Sequence, residues 1–341
     1  MVYNYSQIVF KLFYQGVGTL NISVLGCGRW GSFIAWYLNK IGHNVILWGR
    51  EGSLRLNEIK NTRKNSSLNF DKKIMVSSDI EITLKHAEVI VISINAQSLR
   101  NFCEILRNQF KKSLIGKTFV LCMKGIEESS GKRLSEILKE TFDFDINVAV
   151  WVGPGHVQDF SLGIPNCMVI DSESESTKDF LINNFSSSLI RFYYGTDMVG
   201  SEIGAAAKNV MGIAAGILDA MGYESLKGAL MSRGTHEIAR LIQAMGGNEI
   251  SAYGLAHLGD YQATLFSQYS NNRKFGESLV KRNGYTKLAE GVSTSFALVK
   301  LSKKYNVDLP ICTAVNDAVS GKILPESAIK KLFLRSTKRE F

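Results

Sequence analysis

The chain is poor in proline and cysteine, with four prolines and five cysteines among 341 residues. The cysteines are scattered, odd in number and without a C-x-x-C pair, which excludes a disulfide framework or zinc ribbon as the basis of the fold and favours reduced thiols. No uninterrupted apolar run approaches the roughly 18 residues that a membrane-spanning helix needs. Apolar residues make up 45% of the chain and charged residues 21%, as in a folded globular protein. We therefore predict a soluble protein of the cytoplasm.

Acidic residues are also in deficit, with 31 Asp and Glu against 40 Lys and Arg, so that the net charge is +9. This excess favours an anionic partner, which can be a nucleic acid, an acidic membrane or a phosphorylated small molecule. Nucleic-acid binding is disfavoured because no recognised module is present. No His, Cys and Asp spacing indicates a metal site, and no G-x-S-x-G turn provides a nucleophile. The basic tail after residue 329 is typical of a solvated helix end, with loose contact to anionic lipid as the minority interpretation.

The clearest local pattern is a βαβ unit that begins near residue 22. A short β-branched run is followed by a glycine turn, a helical segment and a second apolar run within about thirty residues, an arrangement that predicts two parallel strands joined by a right-handed crossover. The segments are Ile22–Leu25, the turn at 26–31, Ser32–Ile41 and Asn44–Trp48.

The turn reads Gly26-Cys27-Gly28-Arg29-Trp30-Gly31 and matches G-x-G-x-x-G. In this motif the first glycine permits a tight turn, the second lets the backbone approach a pyrophosphate, and the third lets helix pack on strand. The following helix N-terminus adds N–H groups and a partial positive charge. Between a strand and a helix the motif is specific, and it predicts a dinucleotide site.

The rest of the chain divides into two regions, one with alternating strand and helix patterns and one with helical patterns only. Continuous apolar runs at Glu88–Ile94, Thr118–Met123 and Asn147–Val152 indicate a parallel sheet covered on both faces. Helical patterns are predicted near Leu99–Phe110 and Gly131–Thr141, and then at Ile203–Met221, Leu230–Met245, Thr286–Tyr305 and Ile311–Ser320. We predict an α/β fold with an N-terminal Rossmann doubly wound sheet over residues 21–197, a C-terminal all-α helical domain over 198–341, and an N-terminal extension over 1–20.

The end of the second predicted strand reads Trp48-Gly49-Arg50-Glu51 and bears on the choice between NADPH and NADH. An acidic residue at this position grips the ribose 2′-hydroxyl of NADH, whereas a guanidinium suits the 2′-phosphate of NADPH. Because Arg50 is the nearer residue to the expected ribose, NADPH is favoured and NADH stays open.

The helical segment after residue 200 carries one lysine among glycines and alanines. At helical spacing Gly204, Lys208, Gly212 and Gly216 form a stripe, and each interior glycine costs about 1 kcal/mol relative to alanine. Some neighbour, either another helix or a ligand, must therefore approach this face closely. Burial disfavours the charged form of a lysine, which makes Lys208 a candidate acid or base near neutral pH. A lysine that reaches past small residues to solvent is the alternative.

Several ordered motifs resemble one family, the bacterial soluble NAD(P)-dependent glycerol-3-phosphate dehydrogenases. The resemblance runs from about residue 21 to 328. The motifs are GCGRWGSFIA (26–35), LWGR (47–50), MKGIE (123–127), VGPGHVQDF (152–160), AAAKNVMGIAAG (205–216), HLGD (257–260), NNRKFG (271–276) and EG (290–291).

The resemblance implies an oxidoreductase of lipid and carbohydrate metabolism that transfers hydride reversibly between NADPH or NADH and dihydroxyacetone phosphate, giving sn-glycerol 3-phosphate, and that forms a homodimer. It makes Lys208 the general acid and base. The implied catalytic residues are Lys208, Asn209 and Asp260. The implied substrate-binding residues are Lys124, Gly153, Lys208, Asp260, Thr264, Ser270, Asn271 and Asn272. The implied cofactor-binding residues are Gly26, Gly28, Arg29, Trp30, Gly31, Arg50, Lys124, Val157, Asn271 and Glu290.

Two departures from the family pattern leave alternatives open. Asn271 stands where the family has an arginine that binds the substrate phosphate, and Gly155 stands where it has a hydroxyl residue. A small backbone shift of Arg273 or Lys274 is one way to compensate, although the family has both. One alternative is thus a related dehydrogenase with a different hydroxy acid or phosphorylated carbonyl as substrate. An alternative of another class is a dinucleotide sensor without catalysis.

Overall fold

The fold was analysed on a computed structural model that describes residues 18–337, 339 and 340. Of the predicted extension, residues 1–17 lie outside the described residues. Leu20 already packs in the core, and its carbonyl accepts the N–H of Asn44 at 2.9 Å.

An eight-stranded sheet forms the N-terminal half of the described chain. Its strands are β1 Asn21–Leu25, β2 Asn44–Trp48, β3 Met75–Ser77, β4 Val89–Ile92, β5 Thr118–Leu121, β6 Asn147–Val152, β7 Asn166–Ser172 and β8 Ile190–Tyr194. Their spatial order is β3-β2-β1-β4-β5-β6-β7-β8, and every neighbouring pair is parallel except β6 with β7. The order reverses between β1 and β4, which is the switch point where doubly wound sheets bind ligands.

Helices cover both faces of the sheet and then build the second half of the chain. They are α1 Arg29–Lys40, α2 Leu54–Thr62, α3 Ile80–His86, α4 Leu99–Phe110, α5 Leu134–Thr141, α6 Val157–Ser161, α7 Glu175–Phe185, α8 Met198–Ala220, α9 Lys227–Ala244, α10 Asn271–Lys281, α11 Gly291–Tyr305, α12 Pro310–Val319 and α13 Pro325–Phe333. The predicted fold class is confirmed. The division at 197/198 stays a proposal; the last strand ends at 194 and α8 begins at 198.

The helix that carries Lys208, α8, lies at the centre of the helical half. This helix is long and apolar enough to cross a membrane. However, 89% of its apolar stretch of 18 residues is buried inside the fold, as in a core helix. The other helices of this half pack around it, so its apolar side chains form the second hydrophobic core.

The glycine stripe on α8 is explained by close backbone approach. A Cβ at Gly216 would lie 1.9 Å from the carbonyl oxygen of Arg273 in α10, and a Cβ at Gly212 would lie 2.8 Å from the methyl group of Thr264. The sequence left open whether another helix or a ligand approaches this face. At Gly216 the neighbour is a helix, α10. The same contact seats the N-terminal half of α10 against α8, close to Lys208.

Candidate active site

The glycine turn at 26–31 has the shape that its motif predicts. Gly26 has φ +120°, a conformation that favours glycine, and a Cβ at Gly31 would lie 2.0 Å from the carbonyl oxygen of Gly26. The Gly26 N–H donates to the carbonyl of Trp48, which ties the turn to the end of β2. At Gly28 a Cβ would meet only a guanidinium nitrogen of Arg55, at 3.9 Å. The space over Gly28 is thus open and can admit a pyrophosphate against the backbone.

Arg50 follows β2 at the edge of this turn. The intervening Gly49 packs so closely on the turn that its Cβ would lie 2.6 Å from the sulfur of Cys27. Arg50 and Glu51 are both exposed, so both side chains are free to move. This is the place where the adenosine ribose of a dinucleotide lies in doubly wound sheets.

Two further cofactor candidates lie on the sheet side of the turn. Trp30 packs against Phe33 and Phe160, with its ring 5.0 Å from that of Phe33, and its indole N–H is buried without a hydrogen-bond partner among the described residues. Val157 opens α6 and is buried in the core of the sheet domain. An unpartnered indole N–H beside the turn fits a site that takes a polar ligand.

Four polar side chains meet in the cleft between the sheet and α8. Both Lys124 and Lys208 place their Nζ atoms on one carboxylate oxygen of Asp260, at 2.5 Å and 2.8 Å. The Lys124 ammonium also donates to the carbonyl of Gly153 at 2.8 Å, and the Lys208 ammonium donates to the hydroxyl of Thr264 at 2.8 Å. Lys124 and Gly153 follow β5 and β6, so the cluster lies at the carboxyl edge of the sheet. The structure therefore brings together five of the predicted site residues.

The electrostatics of this cluster favour proton transfer by Lys208. Burial lowers the pKa of the Lys208 ammonium to about 8, with the Asp260 carboxylate opposing and the Lys124 ammonium adding to the shift. Lys208 is therefore largely protonated at neutral pH, yet releases its proton far more readily than an ordinary lysine.

The N-terminus of α10 lies on the other side of Lys208. Ser270 caps it by accepting the N–H of Arg273 at 3.2 Å. Asn272 donates to the side-chain carbonyl of Asn209 at 3.0 Å and accepts the N–H of Gly291 at 2.9 Å. Asn209 thus fixes α10 and, through Asn272, the start of α11, and its side-chain carbonyl accepts from Asn272 rather than from Lys208.

Glu290 projects from the loop before α11 toward the two lysines. Burial raises the pKa of its carboxyl to about 7, and the charges of Lys208 and Lys124 oppose that rise. The residue borders a cavity of about 200 Å³ between segments 95–97 and 288–294. Its lining comes from both halves of the chain and includes Gly125, which follows Lys124 in sequence.

Comparison with known proteins agrees with this geometry. The family descriptions "NAD-dependent glycerol-3-phosphate dehydrogenase N-terminus" and "C-terminus" match residues 21–178 and 197–330. A protein of Pelodictyon phaeoclathratiforme named glycerol-3-phosphate dehydrogenase (NAD(P)+) is 35% identical over 94% of this chain and 99% of its own length. One of Clostridium botulinum with the same name is 33% identical over 94% of this chain and 98% of its own.

This chain belongs to the NAD-dependent glycerol-3-phosphate dehydrogenase family. A solved glycerol-3-phosphate dehydrogenase of Coxiella burnetii shares the fold, with a TM-score of 0.84 at 24% identity over 93% of this chain and 99% of that one. The family resemblance drawn from the motifs is confirmed.

The segment predicted to bind the substrate phosphate has a definite geometry. The side-chain carbonyl of Asn271, the residue predicted to stand in place of a family arginine, accepts a hydrogen bond from the Tyr285 hydroxyl at 3.1 Å. Arg273 is held by Asp219 at 2.5 Å and by Glu277 at 3.0 Å. Because this guanidinium is committed to two carboxylates, compensation by Arg273 is disfavoured. Lys274 is exposed and has no such constraint.

Arg29 adds a positive charge to the same end of the cleft. It is exposed at the start of α1. Burial raises the pKa of the Tyr285 hydroxyl, and the charge of Arg29 opposes that rise. The positive charge of Arg29 thus acts at Tyr285, whose hydroxyl donates to Asn271.

Two histidines near the cluster differ in their surroundings. His257 is fully buried and bonded on both ring nitrogens, to the carbonyl of Gly204 at 2.8 Å and the hydroxyl of Tyr261 at 2.7 Å, as expected for a structural histidine. Burial lowers its pKa to about 4, so it is neutral. His156 instead packs edge-on against Tyr269 and keeps a buried Nε2 without a hydrogen-bond partner among the described residues.

Three residues beside the predicted site residues were not predicted from the sequence: Arg55, Tyr269 and Tyr285. None lies in a motif with a functional signature, and only their position in the fold brings them to the cleft. No group of three His, Cys, Asp or Glu that could hold a metal ion occurs within the part of the chain that the structure describes.

Proposed function

We propose that this chain reduces dihydroxyacetone phosphate to sn-glycerol 3-phosphate with NADPH or NADH, with Lys208 as the proton donor. The observation that carries the proposal is the buried Lys208 ammonium, 2.8 Å from Asp260 in the cleft beside the glycine turn. The names of the curated relatives support the substrate and the cofactor.

The open backbone at Gly28 and the unpartnered indole of Trp30 fit a dinucleotide, with Gly26, Gly31, Arg29 and Arg50 around it. When bound, the reduced nicotinamide supplies a hydride to the carbonyl carbon of the substrate. Lys208 gives its proton to the carbonyl oxygen as that oxygen gains charge, and becomes a neutral amine that is reprotonated from solvent. In the reverse direction the neutral amine removes the proton of the hydroxyl group.

Asp260 and Lys124 position this donor. The Asp260 carboxylate holds both ammoniums, so that Lys208 stays protonated despite its burial, while Lys124 is fixed by Gly153 for contact with substrate oxygens. Thr264 orients Lys208 from the other side. The proposed role of Asn209 is to position Asn272 rather than to act on the proton.

The phosphate end is proposed to consist of Ser270, Asn271 and Asn272 at the start of α10. Helix N-termini attract anions, and a bound phosphate would orient the ketone toward the nicotinamide. His156, with its unpartnered Nε2, is proposed as an additional hydrogen-bonding group for the substrate. Val157 and Glu290 are proposed to line the cofactor side.

Removal of the substrate phosphate tests the substrate class. We expect kcat/KM for dihydroxyacetone to be lower than that for dihydroxyacetone phosphate by about 10³-fold or more, because the binding energy of the phosphate is used to orient the carbonyl. The measurement is NADPH oxidation against a panel of phosphorylated and plain ketones. Equal rates with and without phosphate would favour the related dehydrogenase with a different substrate, which Asn271 and Gly155 already suggest.

The cofactor preference is tested at Arg50. Replacement of Arg50 by alanine should raise the KM for NADPH by roughly 10- to 100-fold, because a charge-assisted contact to the 2′-phosphate is lost, and should leave the KM for NADH nearly unchanged. Steady-state kinetics with both cofactors measure the two values. An equal rise for NADH and NADPH would show that Arg50 does not contact the 2′-phosphate.

Assembly and location are proposed from the same family membership. The proposed assembly is a homodimer. The proposed location is the cytoplasm, and it is compatible with the described residues, whose one helix long and apolar enough to cross a membrane is buried in the core. A loose contact with anionic lipid is compatible with α13 and the residues after it, where Lys330 and Lys331 are exposed beside Phe333 and Leu334.

A further inference from the structure

The first turn of α2 is packed onto the glycine turn and carries a second arginine to it. Leu56 of α2 would lie 3.0 Å from a Cβ at Gly49, and the hydroxyl of Ser53, which caps α2, lies 3.6 Å from the sulfur of Cys27. These contacts fix the start of the helix against the end of β2. Arg55 lies between Ser53 and Leu56 in sequence, so the place of its backbone follows from the fold rather than from a flexible loop.

The Arg55 guanidinium reaches back over the phosphate-binding turn. Its Nη1 lies 3.9 Å from the position that a Cβ at Gly28 would occupy, and among the described residues other than Gly28 and its two chain neighbours no other heavy atom comes within 4 Å. Arg50 leaves β2 on the adjoining side of the same turn. The Gly28 side of the turn thus carries the Arg55 guanidinium, and Arg50 is the second exposed arginine that follows β2 next to the turn.

Arg55 has no competing partner in the part of the chain that the structure describes. No carboxylate of the described residues forms an ion pair with it, and it is exposed. An exposed guanidinium that is free of carboxylates and lies beside an open backbone is suited to a phosphate dianion, which it binds through two parallel hydrogen bonds.

We propose that Arg55 is a second ligand of the 2′-phosphate of NADPH, which it holds together with Arg50 at the Gly28 side of the adenosine ribose. The inference rests on the proposed function, because it takes NADPH as the cofactor. It assigns NADPH preference to a pair of arginines, one that follows β2 and one in the first turn of α2, rather than to Arg50 alone.

The test separates the 2′-phosphate from the rest of the nucleotide without catalysis. Binding of 2′,5′-ADP and of 5′-AMP to the full chain is measured by isothermal titration calorimetry for the wild type, Arg55→Ala and Lys60→Ala. Lys60 is exposed and lies in the last turn of the same helix, whereas Arg55 lies in the first, which makes it a matched control for the loss of one positive charge.

We expect Arg55→Ala to weaken 2′,5′-ADP binding by roughly 10- to 100-fold, as for the loss of a charge-assisted hydrogen bond, and to leave 5′-AMP binding unchanged. Lys60→Ala should change neither. Equal weakening of both nucleotides would place Arg55 on the shared 5′-phosphate, and no weakening would remove it from the site; either result overturns the proposal. Because neither nucleotide is reduced or oxidised, failure of the ketone reduction would leave this result interpretable.

Discussion

Replacement of Lys208 by alanine should reduce turnover of dihydroxyacetone phosphate by roughly 10²- to 10⁴-fold, the usual span for one general acid. The reason is that, in the proposed mechanism, the Lys208 ammonium donates the proton to the carbonyl oxygen of the substrate. The fold should survive, since Asp260 keeps its second partner, Lys124, at 2.5 Å. Steady-state NADPH oxidation measures the effect, and NADPH binding should be retained.

The control for this variant is Lys303→Ala, which removes an exposed lysine from α11. It should leave turnover unchanged. A protein that binds NADPH tightly, shows no turnover as wild type and is indifferent to Lys208→Ala would instead be the sensor without catalysis. Undiminished turnover in the variant would mean that another group donates the proton.

Replacement of Asp260 by asparagine should have an effect of comparable size through electrostatics. Asp260 is 1% exposed and is the counter-charge of two ammoniums, so its neutralisation leaves Lys124 and Lys208 facing each other unpaired. Breaking a buried pair in this way costs about 3–5 kcal/mol. The pKa of Lys208 should fall further, so that less of the donor is protonated at neutral pH and turnover declines by about 10²-fold or more.

Two measurements distinguish this effect from simple loss of folding. Thermal denaturation reports the stability change, and the pH profile of turnover should move its alkaline limb toward lower pH. Asp143→Asn is the matched control, because its ion pair with Lys111 is on the surface, and it should move neither quantity. A stability loss without a shift of the pH profile would make Asp260 structural only.

The sequence was most informative where a local rule determines the conformation. The strands β2 and β6 and the helix α4 lie at their predicted bounds, because buried parallel strands are continuous apolar runs and α4 has a regular apolar stripe. The strands β3, β7 and β8 were missed. The first has three residues, and β8 is an edge strand with alternating exposure that leaves Tyr193 and Tyr194 partly in solvent.

The site likewise contains residues that a local pattern predicts and contacts that only the fold creates. Lys208 was found because its glycine stripe is visible in one helix, and the structure explains that stripe by the approach of α10 and Thr264. The pairing of Lys124 with Asp260 joins residues 136 positions apart, which no local pattern encodes. The ion pair between Arg273 and Asp219 and the approach of Arg55 to Gly28 likewise join residues far apart in sequence, so only the structure shows them.

The central claim is that Lys208 is a buried acid with a pKa of about 8, and the pH dependence of kcat/KM for dihydroxyacetone phosphate tests it most directly. Reduction requires the protonated amine, so kcat/KM should fall tenfold per pH unit above about pH 8. Oxidation of sn-glycerol 3-phosphate requires the neutral amine and should rise through the same value. Reduction that stays constant up to the ordinary lysine value of 10.5 would contradict the assignment.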